Sequence, residues 1–478
     1  MRRTAFIALL FFLAASSVSA DTIVLKNGRR IVASNVTEDG DRVTYETPAG
    51  QMSIPKSIVA RIDRDNFSYS STTGVSSAPP VSAPQIDPVR GYEDVAHLTV
   101  HDNAIDFSYI ATLENNARSG SLAAVEKVAA THYAAAQFLV SKGDTAAAID
   151  HYRQALSFAP DNLGLLLNVA VLYLRENQFS TALDSLEHAR RVTSDSGLAA
   201  ADIAKLMGWA YYGANKMDHA VEEWKRSEHL RPDPEVESAL EKAERDLSEE
   251  ESYREGETVH FALKYNGNAT PDLARGILHA LEEDFRDLEA QLDYTPPEQI
   301  GVILYTEQSF ADITRAPSWA GAINDGRIRI PVQGLTSVTP ELGHVLKHEL
   351  THSFVGQKSH GRAPTWLQEG VAQYMEGRRT TTVGALLDEA NQGLVPSLGM
   401  LEGSWMGLPA SSAAMAYAWS LAVVESIIQS GGVDDISRLL DRIGAASSAE
   451  EALRETLHSD YADLQQQTIV YLRRADVR

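Results

Sequence analysis

Three residues in the stretch LKHELTHSF (346–354) have the types and spacing of a catalytic metal site. His348 and His352 stand four positions apart, so on a helix both imidazoles lie on one face and can reach a single metal ion, with Glu349 beside them. Zinc held by two histidines and a third protein ligand lowers the pKa of a bound water toward about 7. A neighbouring carboxylate can accept the proton as this water attacks a carbonyl. The stretch therefore predicts metal-assisted hydrolysis; the alternative is two ordinary histidines on a helix.

The residues around this motif predict that it is helical throughout. Thr339 can cap a helix and Pro340 can take its first position, so the helix should run from there to near Gly356. Leu346 and Leu350 fall on the side away from the histidines, where they are available for a core. The motif would then be positioned by a helix that packs on the rest of its domain.

A second helix should follow in the stretch RAPTWLQEGVAQYMEG, starting near Pro364 and Thr365. Glu369, one turn into it, is the natural third ligand, and Glu376 on the same helix is the competing carboxylate. Here the chain resembles the gluzincin metallopeptidases, and most closely their peptidase MA-like group, in which H-E-x-x-H is followed by W-L-x-E-G. Of the two carboxylates, only Glu369 lies in the W-L-x-E-G frame.

The resemblance covers roughly residues 256–475 and implies a thermolysin-like zinc metallopeptidase domain that acts on a protein or peptide substrate. It implies that His348, His352 and Glu369 are the ligands of Zn²⁺ and that Glu349 is the general base. The Gly-x-Met-Glu-Asn motif of the aminopeptidase branch is not found in the sequence, which favours an endopeptidase.

Two further positions could assist the reaction. Tyr417, in AMAYAWSLAVVESII, resembles the tyrosine that follows the zinc helices in this group and would stabilise the oxyanion; packing on an apolar helix is the alternative. His360, in KSHGRAP, is a second candidate for that role. The segment RAPSWAGAINDGRIRIPV (315–332) resembles the family's segment ahead of the motif, whose last part, GRIRIPV (326–332), would be an edge strand that pairs with an extended peptide. Its alternative is an ordinary edge strand protected by its exposed arginines.

Residues 122–250 contain an internal repeat with a period of about 34 residues, ahead of the candidate site. The matching positions are Ala148, Tyr152 and Ala155, then Ala182, Leu186 and Ala189, then Ala220, Trp224 and Ser227. This pattern resembles tetratricopeptide repeats, which form an α-solenoid and imply a partner or substrate bound in a concave groove. A packing spacer between domains is the alternative. The charged stretch that ends this region is typical of a solvated capping helix.

The N-terminal part predicts export and a separate small domain. Residues 1–20 have a basic start, an apolar run and small residues at the end, as in a secretory signal peptide. Residues 21–66 contain β-branched runs broken by Asn-Gly and Asp-Gly, which predicts a small β module, and residues 67–90 form a Ser/Pro-rich linker. After signal cleavage we expect no stable membrane span; an uncleaved anchor is the alternative.

The composition narrows the possible functions. The chain has no cysteine, which excludes disulfides, thiolate metal sites and a cysteine nucleophile. Its formal charge of −23 argues against nucleic acid as a partner. Export without disulfides is typical of a bacterial periplasm or exterior.

Together these patterns predict a multidomain α+β protein: a β module, a tetratricopeptide solenoid and a gluzincin-like domain. The rival interpretation is a non-catalytic scaffold or adaptor with a degenerate or structural zinc domain. Because Glu349 and all three candidate ligands are present, we favour an exported zinc metallopeptidase.

Overall fold

The computed structural model divides the chain into two compact units, Met1–Ser71 and Thr72–Arg478. The predicted linker and residues 1–19 of the predicted signal peptide lie outside the described residues. The described residues are 20–25, 30–39, 42–47, 50–56, 59–63, 93–118, 121–266, 269–306, 309–310, 322–332, 335–403, 405, 408, 410–445 and 448–476.

The first unit forms an antiparallel sheet from the β-branched runs. Among its described residues the strand order is β4-β3-β2-β1-β5, so β1 pairs with both the second and the last strand. The strands are β1 (Ala20–Leu25), β2 (Arg30–Asp39), β3 (Arg42–Thr47), β4 (Gly50–Pro55) and β5 (Val59–Asp63).

The second unit begins with two short helices, α1 (Glu93–Thr99) and α2 (Phe107–Ala117), joined by the small β6–β7 ladder (Val100–His101 and Ala104–Ile105). Helical hairpins follow, each with a left-handed residue at the turn between its helices: Gly143, Asn177 or Asn215. The hairpins and the helix after them are α3 (Leu122–Ser141) and α4 (Thr145–Phe158), α5 (Leu163–Arg175) and α6 (Phe179–Val192), α7 (Leu198–Gly213) and α8 (Met217–Leu230), and α9 (Pro234–Glu250).

The repeated positions of the sequence form the contacts between these helices. Small residues at them let paired helices approach closely, and the large residues Tyr152, Leu186 and Trp224 fill the space between neighbours with at most 1% of their surface exposed. The repeat pattern is therefore explained by packing within the array.

The C-terminal part of the second unit has a mixed sheet in the order β11-β12-β10-β9-β8. The central strand β10 is parallel to both of its neighbours, and the outer strands are antiparallel to theirs. The strands are β8 (Arg254–Glu257), β9 (Phe261–Tyr265), β10 (Ile300–Tyr305), β11 (Ile323–Asn324) and β12 (Arg327–Pro331).

Helices on this sheet enclose one apolar core. α10 (Pro271–Leu292) connects β9 to the parallel strand β10, and its Phe285 packs edge-on against Phe354 of the motif helix. The remaining helices are α11 (Pro340–Lys358), α12 (Thr365–Met375), α13 (Val383–Gln392), a 3₁₀ turn (Leu398–Leu401), α14 (Ala410–Gly431), α15 (Val433–Ala445), α16 (Ala449–Leu457) and α17 (Tyr461–Ala475). Across the described residues, no helix has both the length and the apolarity to cross a membrane.

Two expectations about charged segments are wrong. GRIRIPV is not an edge strand and its arginines do not face solvent: β12 lies between β10 and the outer strand β11, and Arg327 and Arg329 are 2% and 0% exposed. The charged helix α9 is not solvated on every side either, because its Asp246 and Glu250 are 0% and 4% exposed. The two errors have one cause, since these carboxylates and guanidinium groups pair with each other.

Candidate metal centre

The helix α11 carries the motif much as the sequence predicts. The Thr339 hydroxyl accepts a hydrogen bond from the Leu342 backbone N–H at 3.2 Å, and Pro340 takes the first position, where no donor is needed. Leu346 and Leu350 are fully buried on the far side. This packing fixes the rotation of the helix, so the two histidines project together toward α12.

His348, His352 and Glu369 converge. His348 Nε2 is 3.5 Å and His352 Nε2 is 3.7 Å from the same carboxylate oxygen, Glu369 Oε2. One ligand atom from each of the three residues lies within 4.8 Å of the others. Among the described residues, these three form the one group of His, Asp or Glu side chains found close enough to hold a metal ion. Two imidazole nitrogens and a carboxylate oxygen at this separation match the donor set of a catalytic zinc site.

One buried oxygen in this group indicates that a cation fits there. Glu369 Oε2 is buried and has no hydrogen-bond partner among the described residues. A buried ionised oxygen without a partner is costly, and a metal ion between it and the two imidazoles would remove that cost. The donor set and the unsatisfied oxygen therefore both indicate that the residues fit a metal ion.

Glu376 occupies a different position from the one that the sequence left open. Its Oε1 lies 3.5 Å from His348 Nδ1, the ring nitrogen opposite the one that faces Glu369. Its side chain is 2% exposed, and Arg378 Nε lies 2.8 Å from the same oxygen. A carboxylate on the outer nitrogen of a metal-binding histidine fixes the tautomer and the orientation of the ring. The geometry therefore favours Glu369 over Glu376 as the third ligand.

The electrostatics of the site reflect carboxylates crowded around too little positive charge. Burial alone would lower the pKa of His348, but the Glu369 and Glu376 carboxylates raise it to about 10. Burial lowers the pKa of His352 to about 4. Burial would raise the pKa of Glu369, yet the two imidazoles outweigh it and lower that pKa.

Glu349, the carboxyl group of the motif, has a raised pKa. Burial raises its pKa to about 7, with His348 opposing the shift and Glu369 adding to it. A general base works best when its pKa lies near the operating pH. Its position next to His348 and its raised pKa both agree with the predicted role.

The strand β11 is fastened to the motif helix by one side chain. Asn324 Nδ2 donates to the backbone carbonyl oxygen of Glu349 at 2.7 Å and to Ser353 Oγ at 2.6 Å. Its Oδ1 accepts from the Gly326 backbone N–H at 3.1 Å, so both ends of the amide are held. The end of the sheet is thereby fixed over the helix that carries the histidines.

Of the two oxyanion candidates, only Tyr417 is near the site. Burial raises the pKa of its phenol, and the Glu369 and Glu349 carboxylates raise it further. Its ring packs edge-on against Trp405 with centroids 5.1 Å apart. His360 lies elsewhere, because its Nε2 is 3.3 Å from Glu176 of the repeat region.

Sequence reasoning missed the Asn324 contacts and left the role of Glu376 open. Asn324 precedes Asp325-Gly326, which reads as an ordinary turn, and nothing in the sequence shows that it reaches a helix 25 residues away. The role of Glu376 depends on which ring nitrogen it meets, and spacing alone does not determine that.

Comparison with known protein families supports both regions. Residues 290–473 match the family model of the Peptidase MA superfamily, and residues 139–201 match a tetratricopeptide repeat model. Among curated proteins, none matches the sequence. The predicted order, tetratricopeptide repeats ahead of a peptidase MA-like domain, is confirmed.

Proposed function

We propose that this chain, with its Peptidase MA superfamily domain, is an exported zinc-dependent metallopeptidase that hydrolyses peptide bonds within protein or peptide substrates. The observation that carries the proposal is the meeting of His348 Nε2 and His352 Nε2 at one oxygen of Glu369, with Glu349 adjacent. That oxygen is buried and has no hydrogen-bond partner among the described residues, as expected of a metal ligand.

In this proposal His348, His352 and Glu369 hold the metal. When bound, zinc supplies Lewis-acid chemistry: it lowers the pKa of water and polarises a carbonyl. Glu349 accepts the proton of the attacking water and then delivers it to the leaving amine. Its carboxylate is buried next to the proposed ligand His348, which suits both transfers.

Two other elements would act on the substrate. Tyr417 would donate its hydroxyl proton in a hydrogen bond to the oxyanion, and burial keeps the phenol protonated by raising its pKa. The strand β11, at the end of the sheet, would pair with an extended peptide through main-chain hydrogen bonds. Such pairing would align the scissile carbonyl with Glu349.

The repeats and the N-terminal segment complete the proposal. Tetratricopeptide repeats are suited to protein–protein interaction, so this region would bind a partner or a protein substrate. The signal-peptide pattern of residues 1–20 supports export to a bacterial periplasm or exterior.

The deciding experiment measures metal content and proteolysis together. Wild type and Glu369→Ala would be purified as mature chains, analysed for bound metal, and incubated with casein and with a peptide library, with and without a chelator. We expect one zinc per wild-type chain, chelator-sensitive cleavage, and loss of both in Glu369→Ala. Asp388→Ala, which removes an exposed carboxylate on α13, is the matched control and should keep both.

Other outcomes would redirect the proposal. Zinc without cleavage of any probe would favour the scaffold interpretation, in which the metal is structural. A wild-type chain that binds no zinc would reject the metallopeptidase.

A further inference from the structure

We propose that α9, the last helix of the repeat region, positions the candidate active site through buried ion pairs with the β11–β12 hairpin. The inference rests on the proposed function where activity is concerned. It assigns a part in the reaction to Asp246 and Glu250, which lie outside the matched peptidase region.

The contact between α9 and β12 consists of two bidentate ion pairs. Glu250 accepts from both terminal nitrogens of Arg327 at 2.7 and 2.8 Å. Asp246 accepts from both terminal nitrogens of Arg329 at 3.0 and 2.6 Å. Bidentate pairs fix direction as well as distance, so two of them one helical turn apart on α9 set both the height and the tilt of β12.

The ion pairs are completely withdrawn from water. The side chains of Asp246 and Glu250 are 0% exposed, and the side chains of the two arginines are at most 2% exposed. Tyr305 on β10 accepts a further hydrogen bond from Arg329 at 2.7 Å. Because a buried charge without its partner is strongly unfavourable, these groups restrict β12 to positions in which both ion pairs form.

The hairpin passes this position on to the motif. Arg329 also holds Asp325, at 2.9 Å, in the turn between β11 and β12. The adjacent residue Asn324 donates to the Glu349 carbonyl oxygen and to Ser353 Oγ. A continuous set of hydrogen bonds and ion pairs therefore runs from α9 through the hairpin to the helix that carries Glu349.

The rest of the repeat array is braced against the same domain, which gives α9 a fixed base. The turns within the hairpins make these contacts, and Gly143 illustrates how close they are: a Cβ at this position would lie 2.0 Å from the Ala445 carbonyl oxygen. In the next repeat, the Ser180 backbone N–H donates to Glu298 at 2.9 Å. The turn edge of the array is thus occupied within this chain.

The test uses Glu250→Gln in the full mature chain, which keeps the shape of the side chain and removes its charge. We expect the variant to fold at 20 °C, to bind zinc within about threefold of the wild-type Kd, and to lose on the order of 10- to 100-fold in kcat/KM on fluorescently labelled casein. Hydrogen exchange should be faster in residues 322–332 and 346–354. A purely structural ion pair would lower the melting temperature without changing kcat/KM per folded, zinc-loaded chain.

Glu244→Gln is the matched control. It removes the same charge from the exposed face of the same helix, where Glu244 pairs with Lys225 at 2.7 Å, and it should behave as wild type. If Glu250→Gln does not fold, Asn324→Ala replaces it. This change removes the hydrogen bonds from β11 to the motif helix and leaves the buried ion pairs intact.

The outcomes separate this inference from the proposed function. Wild-type kcat/KM and wild-type exchange in residues 346–354 in the folded variant would overturn the inference and leave the peptidase standing. A loss of activity that only follows a loss of zinc would overturn it too. If wild type cleaves no probe, the proposed function fails, and the exchange measurement still decides: faster exchange at 346–354 in Glu250→Gln but not in Glu244→Gln supports positioning by α9, and no difference rejects it.

Discussion

Two buried clusters of charge in the C-terminal region differ in one respect. The hairpin cluster, formed by Asp246, Glu250, Asp325, Arg327 and Arg329, matches each carboxylate with a guanidinium group. The metal-site cluster, formed by His348, Glu349, His352, Glu369 and Glu376, has three carboxylates and two imidazoles, and among the described residues only Glu376 has a guanidinium partner, Arg378 at 2.8 Å. Every carboxylate of the hairpin cluster therefore has a guanidinium partner, and the metal-site cluster is incomplete in this sense, because Glu349 and Glu369 have none among the described residues.

The carboxyl groups report this difference in their pKa values. Burial alone would raise the pKa of Asp325, yet Arg329 and Lys242 hold it well below its usual range. Glu349 has no arginine or lysine partner among the described residues, and burial raises its pKa to about 7. A chain that pairs buried carboxylates with arginines at one place, and leaves Glu349 and Glu369 without such a partner at another, marks the second place as a site for chemistry.

The largest effect should come from Glu349→Gln. The change removes the proton acceptor and keeps the shape, so activity should fall by about 10² to 10⁴-fold while zinc content stays at the wild-type level. Steady-state cleavage of casein and metal analysis measure the two quantities. Glu341→Gln, in the exposed first turn of the same helix, should leave activity unchanged. Full activity in Glu349→Gln would remove this residue from the mechanism.

The complete cluster should be the more sensitive one for folding. Arg329→Met leaves Asp246 and Asp325 without their guanidinium partner, which should lower the free energy of unfolding by about 3 to 5 kcal/mol. Urea denaturation at neutral pH measures it. Arg226→Met, which breaks an ion pair with the largely exposed Asp195, should cost less than about 1 kcal/mol. Equal losses in the two variants would contradict the structural role of the hairpin cluster.

The two clusters were not equally visible in the sequence. The metal-site residues lie within 348–376 on two consecutive helices, where helical spacing and the caps at Thr339 and Pro340 determine which side chains meet. The repeats could also be predicted from a local pattern, because their small residues recur at a fixed period.

The hairpin cluster depends on contacts between distant parts of the chain. Glu250 meets Arg327 across 77 positions and Asp246 meets Arg329 across 83. A charged helix and an arginine-rich strand each look solvent-exposed when read alone, since charged residues are rarely buried without a partner. Only the packing of the repeat array on the sheet brings them together, and no local pattern encodes that packing.

Because of Glu349 in the metal-site cluster, the free energy of unfolding of the metal-free protein should fall as pH rises. The pKa of Glu349 is about 7 in the folded chain and about 4.3 in an unfolded one, so the unfolded state releases the proton first. Metal-free wild type should therefore lose stability between about pH 4.5 and 7, by on the order of 3 kcal/mol, relative to Glu349→Gln. Urea denaturation in chelator at several pH values measures the difference.

Glu341→Gln provides a comparison of opposite sign. The pKa of Glu341 is lowered by hydrogen bonds from its own backbone N–H and from Thr339, so its ionised form is favoured in the folded chain. Its replacement should not stabilise the protein at any pH. A pH-independent difference between wild type and Glu349→Gln would show that Glu349 is not buried as an unpaired acid.

The smallest effect should come from Glu376, because it meets His348 at the outer nitrogen and not at the metal. Glu376→Ala should raise the zinc Kd by about 10- to 100-fold, since His348 loses the carboxylate that orients its ring. Glu376→Gln should lose less, because its amide oxygen can still accept from Nδ1–H. Competition with a fluorescent zinc chelator measures both. If Glu376→Ala instead abolished zinc binding while Glu369→Ala preserved it, the two carboxylates would exchange roles. The unsatisfied oxygen of Glu369 would then need a partner other than a metal.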